Sequence, residues 1–83
     1  MNTDEAKEHI RRLENEIEAI LIAIVREVAS HEFYEGLIEK HKGTYAADIF
    51  RQLAKAETSH KEQLESKLKE LQADLEELKR REA

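Results

Sequence analysis

The chain has 83 residues, 40% of them charged and 40% hydrophobic, with two glycines, no proline, no cysteine and a formal net charge of −5. High Glu, Lys, Leu and Ala content with few helix breakers predicts long helices and no sheet, while the acidic balance excludes a nucleic-acid footprint and the missing cysteines exclude disulfides, thiolate metal sites and Cys-x-x-Cys redox chemistry. The longest apolar run, Ala19 to Val25, is far too short to span a bilayer, and the residues after Met1 do not read as a secretory leader, so a soluble protein is expected, cytoplasmic or held inside a protein compartment, with no membrane partner.

Asn2 and Glu5 have the spacing of a capping box and predict a first helix from about residue 4 to about residue 40. Gly36 interrupts its last part at a cost of about 1 kcal/mol relative to alanine, and a close helix crossing is one reason to keep it. Ala6, Ile10, Leu13, Ile17, Ile20, Ile24, Glu27, His31, Tyr34, Ile38 and His41 alternate by four and three, the spacing of a heptad seam. The seam is apolar until Glu27. His41-Lys42-Gly43-Thr44 offers a glycine for a helix C-terminus and a threonine for the next N-cap, which predicts a turn at about 41–44. A second helix follows from about 45 to about 81. Its seam reads Phe50, Leu53, Glu57, His60, Leu64, Leu68, Leu71, Leu75 and Leu78, with a stutter between Leu64 and Leu68.

A turn this short makes the two helices antiparallel neighbours. Positions equidistant from it then share a height, so Glu27 meets Glu57, Tyr34 meets Phe50, Leu13 meets Leu71 and Ala6 meets Leu78. One hairpin cannot enclose a core, and Leu21, Val25 and Val28 widen the apolar face of the first helix. The predicted fold class is therefore all-α: an antiparallel two-helix hairpin that pairs with a second copy into a four-helix bundle. Two-fold dimers are the commonest assembly, and a ring of dimers is compatible with the same surface.

The chemistry lies where the two seams turn polar. Glu57 and His60 form a Glu-x-x-His pair on one helix face, one turn apart, and Glu27 faces them from the first helix. The bare motif is weak, because 19 acidic residues and four histidines give chance matches. Its plainest reading is a solvated helix face. Three coincidences favour a site instead: the pair lies on the seam, Glu27 lies on the partner seam, and both sit at matching distance from the turn. Carboxylates directed inward are costly unless a positive charge sits among them, and a metal ion supplies it. Two copies would place four carboxylates and two imidazoles around one cavity, balanced by two divalent ions. Hard oxygen donors with imidazole suit iron or manganese, and zinc also fits; di-metal four-helix bundles use the same residue types. His31, one turn from Glu27, reads as a satisfied core histidine, with a further ligand or a hydrogen-bond partner behind the ligands as the alternatives. Glu32 and Glu35 read as a solvated face, and His9 and His41 as surface residues.

The segment REVASHEFYEGL, with Glu27 and Tyr34 seven residues apart, resembles the first half of a rubrerythrin or ferritin-like domain. IFRQLAKAETSHKEQLE resembles its second helix, whose signature is Glu-x-x-His. The resemblance covers about residues 20 to 68 and looks like half of the usual four-helix domain, as in the encapsulated ferritin-like group. It implies a ferritin-like bundle with two iron ions per dimer. In it Glu27 and His60 would be terminal ligands, Glu57 a bridging carboxylate and Tyr34 a hydrogen-bond donor behind the ligands. It also implies a protein shell as a partner, although no capsid-targeting tail is visible. A rubredoxin-like cysteine module is absent, which excludes that route of electron transfer within the chain.

The expected function is oxidation of Fe(II) at a site shared by two subunits, for iron storage or detoxification. The alternatives are a rubrerythrin-like peroxide reductase fed by an external donor, a non-enzymatic coiled-coil oligomerisation protein, and a bundle that holds a metal without turnover.

Overall fold

The computed structural model describes residues 3–82, which form two helices, α1 (Thr3–Lys40) and α2 (Tyr45–Glu82). The expected Asn2–Glu5 capping box lies outside the described residues because of Asn2. Each helix has 38 residues, about 57 Å at the usual rise of an α-helix, and the hairpin is a rod of 61 × 14 × 13 Å. Charges at the helix ends oppose the macrodipoles: Asp4 and Glu5 open α1, Lys40 closes it, Asp48 opens α2, and Lys79, Arg80 and Arg81 close it.

The turn forms as its residues dictate. Gly43 takes a positive φ of 84°, a conformation that glycine adopts without a Cβ clash. The His41 amide donates to the Leu37 carbonyl at 3.0 Å and ends α1. The Thr44 hydroxyl accepts from the Ala47 amide at 3.3 Å and donates to the His41 carbonyl at 2.7 Å, so one side chain both starts α2 and ties it to α1. Gly36 has nothing within 4 Å of the place a Cβ would occupy. A close crossing is therefore not its purpose within the hairpin.

The seam of α1 matches the sequence reading from Ala6 to Ile38, all buried or part-buried. His41 does not join it and is exposed, because the chain has already left helical geometry there. The seam of α2 needs correction. Buried and part-buried positions include Ala47, Phe50, Ala54, Glu57, Lys61, Leu64, Leu68, Leu71, Leu75 and Leu78, which alternate by three and four, with Ala46 and Glu65 part-buried beside that line. Leu53 and His60, expected on the seam, lie one residue off it and are exposed; the stutter disappears with them. The physical reason is spacing between backbones. Ala47 and Ala54 are 0% and 4% exposed, so the helices approach closely through small side chains where a leucine would hold them apart.

The expected register is observed where side chains report it. Tyr34 stacks on Phe50 with ring centroids 6.2 Å apart. Leu13 packs with Leu71 and Leu78 in a cluster flanked by Ile10, Ile17, Ile20 and Leu75. That cluster occupies the half away from the turn. The half near the turn instead exposes Leu21, Ile22, Val25, Phe33, Ile49 and Leu53.

Candidate metal centre

Glu27 and Glu57 meet across the hairpin about midway between the aromatic stack and the leucine cluster, as equal distances from the turn require. The structure brings Glu27, Glu57 and His60 together: one ligand atom from each lies within 4.8 Å of the others. Glu27 and Glu57 are part-buried and His60 is exposed. The group therefore sits at the flank of the hairpin and not inside a closed core, and no charged side chain among the described residues is fully buried.

The local electrostatics are unfavourable as they stand. The Glu57 carboxyl is pushed above its ordinary value, first by its hydrogen bond with Glu27, then by burial and by the charge of Glu27; His60 and His31 pull the other way. Glu27 Oε2 is buried and has no hydrogen-bond partner. His60 Nδ1 lies 3.6 Å from it, within Coulombic reach but too far for a hydrogen bond. A buried carboxylate oxygen without a donor is costly. The cost is removed when a cation binds, and two carboxylates with an imidazole are a donor set that iron, manganese and zinc accept. The residues present thus fit a divalent metal.

His31 points elsewhere. Its Nδ1 is 3.0 Å from the Ala54 carbonyl oxygen and 3.3 Å from the Thr58 hydroxyl, and its Nε2 is 3.2 Å from Glu35 Oε1. Both ring nitrogens are occupied by partners other than the carboxylate pair. Glu35, expected on a solvated face, is the partner of one of them. Tyr34 has aromatic neighbours, Phe50 by stacking and Phe33 edge-on at 5.4 Å. His9, expected on the surface, is part-buried and lines a groove with Glu5 and Arg12.

The two flanks of the seam differ. Thr58 is one residue and His60 three residues beyond Glu57, so at about 100° per residue they stand on opposite sides of it. On the Thr58 side, Val28, His31, Glu32 and Lys61 line a groove against the two carboxylates. Leu21 and Val25 share that side, by their helical spacing from Val28. On the other side His60 continues a stripe with exposed Ile49 and Leu53. Thr58, Lys61 and the Ala54 carbonyl escaped the sequence reading. Strict seven-residue spacing through Ala47, Ala54 and Lys61 was the signal that could have placed Ala54 and Lys61.

A family model described as Rubrerythrin matches residues 18–83. Comparisons with curated proteins and with solved structures return no significant match. The match covers most of the chain, which belongs to the rubrerythrin family as a ferritin-like half-domain. Proteins of this family typically bind iron. No helix among the described residues is long and apolar enough to cross a membrane.

Proposed function

We propose that this member of the rubrerythrin family pairs with a second copy of itself into a four-helix bundle and oxidises Fe(II) at a centre the two copies share, serving iron storage or detoxification. The observation that carries the reading is the buried, donorless Oε2 of Glu27 beside Glu57 and His60. One hairpin offers too few ligands to enclose a metal. A two-fold partner doubles the set, and two divalent ions then balance four carboxylates. For His60 to serve both ions the partner approaches from the side on which it stands, so in this reading the exposed Leu21, Val25 and Val28, from which the pairing was expected, lie on the other flank. Ile49 and Leu53, 56% and 39% exposed, continue the side of His60 towards the turn and gain from being covered.

In this reading Glu27, Glu57 and His60 of both copies would hold the iron, supplying anionic oxygen and imidazole donors to its redox chemistry. Fe(II) would be the substrate: two Fe(II) give two electrons to one dioxygen, which takes up two protons from solvent and leaves as hydrogen peroxide, with two Fe(III) as the product. The carboxylates favour the Fe(III) product, because hard anionic oxygens bind the higher charge more strongly. Ile49 and Leu53, covered by the partner, reduce water access. Tyr34 stands one turn past His31 on the same seam and serves as a hydrogen-bond donor towards the centre. The family match favours a second reading on the same site, in which peroxide accepts the electrons and an external donor restores Fe(II).

Anaerobic titration should give two Fe(II) per dimer, and exposure to air should then raise the Fe(III) absorbance faster than in buffer. Glu27→Ala and Glu57→Ala should lose paired binding and the rate. Three equal rates, none above buffer, would leave a bundle without turnover. Repeating the assay with peroxide under anaerobic conditions separates the two oxidants.

A further inference from the structure

The hydrogen bonds of His31 have a direction that follows from the donors available. The Thr58 hydroxyl donates to the Ala54 carbonyl at 3.3 Å, so its hydrogen is committed and its oxygen can only accept. The Ala54 carbonyl can also only accept. Both groups face His31 Nδ1, which must therefore carry a proton and donate to them. The link ties α1 one turn beyond Glu27 to α2 one turn before Glu57. On the turn side of it the helices meet through Ala47, Ala54 and the stacked Tyr34 and Phe50, apolar contacts whose driving force has no directional preference. A hydrogen bond is directional and resists sliding and rotation.

We propose that His31 is a positioning residue for the metal centre: through the proton on Nδ1, shared between the Ala54 carbonyl and the Thr58 hydroxyl oxygen, it sets the register and rotation that keep Glu57 opposite Glu27. The inference rests on the metal centre proposed above. His31 contributes no bond to the metal. It makes the two carboxylates available at one spacing before an ion arrives, so that less order has to be imposed on binding.

The test uses the full-length chain and Co(II) as the probe, read by calorimetry for affinity and stoichiometry and by the visible bands for the ligand set, at a temperature where each metal-free variant is folded. His31→Ala should keep two ions per dimer and unchanged bands while binding about 10-fold more weakly, the lower range for loss of a group that orients ligands. His31→Asn should recover most of the affinity, because its amide nitrogen takes the place of Nδ1. Thr58→Val, at an exposed position, should weaken binding in the same direction and keeps the test open if His31→Ala fails to fold. Nitrogen NMR of the metal-free chain should find Nδ1 protonated, with or without a second proton on the Nε2 that faces Glu35. Native affinity in His31→Ala, or equal weakness in the Ala and Asn variants, would overturn the positioning role. Lost stoichiometry or shifted bands in His31→Ala would make it a ligand instead. If the native chain takes up no Co(II) and no Fe(II), the metal centre itself falls, a result distinct from any of these.

Discussion

In the proposed centre, Glu57 is the residue at which proton and metal would compete. Its carboxyl is raised chiefly by the hydrogen bond with Glu27. A raised native value means that the native state holds this proton more tightly than the unfolded chain does. The stabilisation is complete below the unfolded value, near about 4.3 for a glutamate, and is lost as pH rises through the native one. With chelator present, the melting temperature should therefore fall between pH 4 and neutrality. Glu57→Gln, which keeps a donor towards Glu27 at every pH, should flatten that fall. Divalent metal should reverse the slope, because an ion needs the carboxylates deprotonated. Thermal unfolding across this range, with and without metal, measures all three curves. A Glu57→Gln curve parallel to the native one would show that the slope comes from other groups.

At the scale of the helix and turn, the two glycines should respond oppositely to one substitution. Neither would bring a new Cβ into contact, so only the backbone decides. Gly43 has a φ of 84°, and an L-residue there costs about 1–2 kcal/mol. Gly36 lies inside α1, where alanine gains about 1 kcal/mol from helix propensity. Gly43→Ala should lower the melting temperature, and Gly36→Ala should raise it, by roughly 4–8 °C per kcal/mol for a chain this size. A fall at both positions would mean that Gly36 meets a partner copy, where a methyl group would intrude. The turn thus limits how far register can drift, and register in turn limits where Glu27 and Glu57 can meet.

For the whole molecule, the question is what covers the half near the turn. The leucine cluster lies in the other half, and the exposed rims there are charged, as in the ion pair of Lys79 with Glu14 at 3.6 Å. Exposed ion pairs of that kind add little stability. The apolar residues left exposed belong to the half that holds the carboxylates, which is where a second copy gains most by docking. If the proposed dimer forms, Leu53→Glu should convert it to monomer in sedimentation and remove paired metal binding together, because the new charge sits on the stripe of His60. Val25→Glu, on the opposite flank, should leave the two-ion stoichiometry intact. If Val25→Glu abolishes paired binding while Leu53→Glu spares it, the partner docks on the other side.

Much of this architecture was legible along the chain. Absence of proline and regular apolar spacing demanded two long helices, and Gly43-Thr44 supplied a place to reverse. Once the turn is located, equal rise along both helices sets the heights, so the meeting of Tyr34 with Phe50 and of Glu27 with Glu57 follows by counting. The seam of α2 was less legible, because hydrophobicity favours Leu53 over Ala54, whereas close packing of two backbones favours the smaller residue. Only the tertiary structure decided that competition. It also decided the orientation of His31, since a histidine on a seam can direct either nitrogen to a metal, a carbonyl or a carboxylate. The neighbours that settle the choice, Ala54, Thr58 and Glu35, are brought to it by folding. The flank taken by His60 depends likewise on how the helices are rotated against each other. A linear pattern specifies that rotation only to within the width of its apolar stripe, and contacts between side chains set the remainder.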